Sequence, residues 1–200
     1  MTTKNPIQIT ARNNSDVALI AWELPGRKPI ANCLGFALTR IDSKSGERTV
    51  LTTKLPFAGQ KDNRTEWKSE PSNVWPIQSM FWIDRGPKNG TVKYELVPMC
   101  GTVDKLVADE DMKVVSNEVT FTTKVDDTFA LSFTNGTLST QWLAHSRPQD
   151  EAGLPDWEVL LKAIQTVGDP IRTRLGGSLP EMAMEPIHTA VAEGGHVYAN

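Results

Sequence analysis

A two-residue alternation of apolar and polar side chains, in short runs that each end in turn residues, constrains this chain most. Across residues 17–24, Ala18, Ile20, Trp22 and Leu24 fall on one face, the period of a strand with one side buried. Pro25-Gly26 stops that run. Leu34, Phe36 and Leu38 line one face of the next, which ends in the polar turn from Asp42 to Gly46. Residues 48–53 read as a short, weaker strand and 56–73 as a long polar loop. Trp75, Ile77, Phe81 and Ile83 alternate ahead of Asp84 and Pro87. Beyond Asn89-Gly90, Val92, Tyr94, Leu96 and Pro98 share a face opposite Lys93 and Glu95, and Val119, Phe121 and Thr123 form a last strand. About seven strands separated by turns predict a two-sheet antiparallel sandwich over residues 1–125.

The pattern then changes. Residues 1–125 carry 17 Lys/Arg and 14 Asp/Glu, whereas 126–200 carry 4 and 10, so a net +3 gives way to −6. In the second part Trp157, Leu160, Leu161, Ile164 and Val167 share a helical face. Asp156 suits its N-cap and Gly168 its stop. Ser178 to Glu181 has capping-box spacing, but Pro186 predicts two short helical pieces, the second ending at Gly194-Gly195. Residues 126–200 therefore read as a hairpin and helical connector.

Composition excludes several classes. No apolar run approaches the roughly 18 residues of a membrane span, so no transmembrane segment is expected. The first residues lack the apolar core of a secretory signal, which makes the expected compartment cytoplasmic. A net charge of −3 argues against direct nucleic-acid binding. The two cysteines, Cys33 and Cys100, read as reduced, and they supply only half of a four-ligand zinc site. Of the four N-x-S/T sequons, Asn89-Gly90 and Asn135-Gly136 read better as hairpin turns.

Two resemblances follow. The run from Ala18 through Trp22 to Pro25, that from Gly35 to Arg40, and that from Gly90 through Tyr94 to Pro98 resemble strands of a fibronectin type III domain, in which large rings fill the space between the sheets. The order of pieces also resembles the N-terminal accessory region of bacterial phospholipase D-superfamily proteins. It is carried by residues 34–40, 75–82, 92–101, Phe133 to Gly136, Ser139 to Gln141, Gly168 to Arg172 and Leu175 to Gly177. That superfamily is known by H-x-K-x(4)-D, in which histidines handle the phosphoryl group. Here His145, His188 and His196 each lack a lysine two residues on, so no catalytic residue carries over. The resemblance implies a non-catalytic accessory region whose partner is a downstream phosphodiesterase domain, acting on phospholipid or nucleic acid, with its active site beyond Asn200. A self-contained sandwich that binds a protein or glycan is the alternative.

No catalytic, cofactor or metal residues are assigned. The carboxylates of Asp109, Glu110 and Asp111, like those of Asp126 and Asp127, read as solvated. Trp22 and Trp75 are expected in the core, and Trp67 and Trp82 on a surface suited to stacking a ligand. Trp157, Leu161, Arg172 and Arg174 are expected at an interface with a neighbouring domain, and the apolar helical stripe makes self-association an expected property.

Overall fold

In the computed structural model, residues 7–58, 60, 68–87, 89–132 and 156–196 are described. The chain divides between Thr122 and Thr123 into two units. The first holds the strands β1 (Gln8–Asn13), β2 (Ala18–Glu23), β3 (Cys33–Asp42), β4 (Arg48–Val50), β5 (Thr52–Thr53), β6 (Glu70–Pro71), β7 (Phe81–Asp84), β8 (Gly90–Thr102), β9 (Lys105–Ala108), β10 (Val114–Val115) and β11 (Val119–Phe121). One sheet runs β1-β2-β7. The other runs β10-β8-β3-β4, with β9 and β11 also on β8, and β5 and β6 form a small ribbon. All pairings are antiparallel. This is a fibronectin-III/immunoglobulin-like antiparallel β-sandwich, followed by a short helical region.

The alternation explains why the sheets pack as they do. In β2 every second residue is buried (Ala18, Ile20, Trp22), and in β8 Val92, Tyr94 and Leu96 face the same core. With Leu38 and Phe121 these side chains are almost fully removed from water, at about 1.5–3 kcal/mol for each large apolar residue. Trp22 meets Phe36 edge to face, with centroids 5.3 Å apart and planes at 66°. Trp75 is only half-buried, short of the core position expected for it.

Three sequence expectations are corrected. The loop at 56–73 holds β6, and Ser72 is fully buried: its Oγ accepts the Leu38 N–H at 3.0 Å and donates to the Leu38 carbonyl at 3.3 Å. The hydroxyl thereby supplies the acceptor that the Leu38 N–H needs, while the Leu38 carbonyl also takes the Leu51 N–H at 2.9 Å. Asn89-Gly90 is not a hairpin turn. β7 pairs with β2 and β8 with β3, so the segment between them crosses from one sheet to the other. Finally, Trp75, Ile77, Phe81 and Ile83 do not share a face. Ile77 bridges Phe36 in the larger sheet, whereas β7 begins four residues later in the smaller one. The bend between them resets the phase, so Phe81 and Ile83 are exposed while Trp82 and Asp84 turn inward.

The second unit starts with a tight reversal in which Asp126 accepts from the backbone of Thr128 and Phe129 and Lys124 bridges Ala130. Helices α1 (Trp157–Gln165), α2 (Pro170–Gly176) and α3 (Leu179–Glu193) follow. Asp156 caps α1 through the Val159 N–H at 3.0 Å, as read. α1 stops at Gln165 before reaching Gly168, and α3 continues through Pro186 in place of two short pieces. Gly194, in the left-handed region at φ 72°, ends α3 where expected. Ser178 makes no capping bond; its Oγ meets the Ser132 Oγ at 2.6 Å.

Candidate functional site

Two features of the sandwich gather chemistry. The first is a polar tie between the sheets. Arg40 on β3 stands opposite Tyr94 on β8, and both reach Asp84 at the end of β7 in the other sheet. The Tyr94 hydroxyl donates to Asp84 Oδ2 at 3.0 Å, and Arg40 Nη1 donates to Oδ2 at 2.9 Å and Oδ1 at 3.2 Å. Tyr94 is fully buried and Asp84 nearly so. Burial, then the Asp84 charge and hydrogen bond, push the Tyr94 phenol well above its ordinary range, so it stays a donor. Every strong group here is committed to another, as in a structural anchor. The sequence pattern places the Tyr94 ring in the core and gives Asp84 no inward role; a buried phenol's need for a partner is the signal that points to it.

The second feature is the outer face of the β1-β2-β7 sheet. Leu19 on β2 lies beside Ile83 on β7, and Ala21 beside Phe81. Leu19, Phe81 and Ile83 are 46%, 52% and 56% exposed, and Met80, just before β7, is 46% exposed. The side of a sheet that faces water is ordinarily polar. Here the apolar row lies at the sheet's margin, because Arg12 and Thr10 of β1 sit opposite Leu19 and Ala21.

The margin itself is open on one side. The Trp22 N–H donates to the Met80 carbonyl at 3.0 Å, which makes Trp22 and Met80 a hydrogen-bonded pair. Antiparallel alternation then directs the backbone groups of Trp82 and Asp84 to β2, and those of Phe81 and Ile83 away from it. Among the described residues β7 pairs with β2 alone, although the Phe81 carbonyl accepts from Ser79 Oγ at 2.6 Å. The opposite margin is capped at its middle. Asn117 accepts the Ala11 N–H and donates to the Ala11 carbonyl, both at 2.9 Å, and Asn13 Nδ2 donates to the Thr120 carbonyl at 2.7 Å. Asn117 thus caps β1 at Ala11 and Asn13 ties β1 to β11, whereas the Phe81 N–H and the backbone groups of Ile83 stay directed to the margin of β7.

The residues singled out from sequence are not gathered together. Trp82 packs half-buried against the core opposite Ile20, which corrects its expected place on the surface. Trp67 lies outside the described residues. In the second unit Trp157 and Leu161 are exposed, while Leu160 and Ala163 form the buried side of α1, a narrower face than the expected stripe. Arg172 donates to the last carbonyls of α1, at Gln165 (2.9 Å) and Ile164 (3.4 Å), where a cation complements the helix end. Asp169 caps α2 through Ile171, and Arg174 is exposed. Glu110 pairs with Lys113 at 2.8 Å. Among the described residues no three His, Cys, Asp or Glu side chains gather as a metal site would require, and no helix is long and apolar enough to cross a membrane.

A scan against protein-family models and a search of curated proteins give no match to this chain.

Proposed function

We propose that this chain is a non-catalytic interaction module that takes up an extended apolar strand of a protein partner along β7. The carrying observation is the coincidence at Phe81 and Ile83. Both expose an apolar side chain, and both direct their backbone groups to the open margin of the sheet. An added strand would gain main-chain hydrogen bonds from that margin, while its own apolar residues cover Phe81, Ile83 and Leu19. Glycan stacking is less well supported, since Trp82 packs against the core. A narrower form of the proposal makes the partner a phosphodiesterase domain of the phospholipase D kind. It rests on the sequence resemblance alone.

A synthetic peptide with the sequence of β7 and the preceding Met80, flanked by lysines for solubility, is the probe. Titrated against the whole chain, it is expected to bind saturably. The double variant Phe81→Lys, Ile83→Lys should fold as before and lose binding by at least about tenfold. Equal binding by wild type and variant, or no binding by wild type up to the peptide's solubility limit, overturns the proposal.

A further inference from the structure

Cys33 and Cys100 occupy directly opposed positions on β3 and β8. The hydrogen bonds around them fix the type of pair. The Gly101 N–H donates to the Asn32 carbonyl at 2.9 Å, one step outward, while the Cys33 N–H turns to Ile30 at 3.2 Å. Cys33 and Cys100 therefore form a non-hydrogen-bonded antiparallel pair. Facing Cα atoms in such a pair lie about 4.5 Å apart, within the range that a disulfide spans. Their side chains leave the same face of the sheet, both residues are half-buried, and Cys33 packs at the border of the core. They are not joined in this structure, and the Cys33 Sγ donates to the Gly35 carbonyl at 3.2 Å. The register of β3 shifts between Cys33 and Gly35, so the ladder is irregular directly beside the pair.

We propose that Cys33 and Cys100 form a reversible redox site that closes to a cross-strand disulfide under oxidising conditions and staples β3 to β8. The oxidant is a low-molecular-weight disulfide such as oxidised glutathione. One cysteine thiolate attacks it, forming a mixed disulfide and releasing one small thiol. The second cysteine thiolate then attacks the sulfur of the first, closing the S–S bond and releasing the second small thiol. The two cysteines lose two electrons and two protons; the small disulfide gains both and becomes two thiols.

The test equilibrates the whole folded chain with mixtures of reduced and oxidised glutathione and reads intact mass after acid quench. The expected product has lost two hydrogens, takes up no alkylating agent, and yields one cross-linked peptide containing both cysteines. Its equilibrium constant is expected to fall at least about 100-fold in concentrated urea, where the strands no longer hold the thiols together. The midpoint of thermal unfolding is expected to rise by roughly 5–10 °C on closure. The variants Cys33→Ser and Cys100→Ser should give at most a single glutathione adduct. Two adducts on the folded wild type, a disulfide between chains, no reaction at all, or equal equilibrium constants with and without urea would each overturn the proposal.

Discussion

At Tyr94 a single hydroxyl links the two sheets, because it donates to Asp84 across the sandwich. Tyr94→Phe keeps the ring and leaves the carboxylate with Arg40 alone, an expected loss of about 1–2 kcal/mol. Asp84→Ala removes the acceptor of both neighbours and strands a partly buried guanidinium, so it should cost more, about 3 kcal/mol. The pH dependence has a definite sign. The folded-state phenol is raised above the value of about 10 that it has when unfolded, so the folded chain keeps a proton that the unfolded chain releases. This contribution is complete below pH about 10 and declines as the pH rises beyond it. Urea unfolding from pH 8 to 11 should show that alkaline decline in the wild type and a flatter profile in Tyr94→Phe. Gly86 is set by packing: a Cβ there would run into the ring of Phe121, which is fully buried. Gly86→Ala should cost about 1–3 kcal/mol, read as a shift of the urea midpoint at unchanged slope.

Among the elements, β2 and parts of β3 and β8 were legible because their apolar residues alternate there and each strand stays in one sheet. β7 was not, because Phe81, Trp82 and Ile83 are all apolar and do not themselves mark the buried face. Periodicity carries a phase only as far as the strand continues, and the chain bends between Ile77 and Phe81 as it changes sheets. That same phase conceals the candidate site, since the alternation assigned Phe81 and Ile83 to the core. β1 was missed because Ile9 and Ala11 give only a faint apolar face, and Asn117 supplies part of its pairing from a distant segment. Pro186 misled in the opposite direction. A proline deprives a helix of one N–H and crowds the carbonyl four residues back, yet α3 spans it. Replacing it should therefore strengthen α3: Pro186→Ala is expected to raise helical ellipticity and stabilise the second unit by about 1–3 kcal/mol.

For the whole molecule, the sandwich has one margin capped by Asn117 and another, along β7, with backbone groups directed outward and apolar side chains next to it. An edge of this kind ordinarily invites pairing and is guarded by charge or by a covering element. Within β7 the one charged residue, Asp84, turns inward to Arg40 and Tyr94 and so guards nothing outside. The proposed strand uptake follows from that combination. Amide hydrogen exchange at Phe81 and Ile83, followed by NMR in the free chain and with the β7-sequence peptide, tests it most directly. Both amides should exchange rapidly in the free chain, unlike Trp82, and slow at least about tenfold when the peptide is bound. Slow exchange at Phe81 and Ile83 in the free chain, or rates that the peptide leaves unchanged, would contradict it.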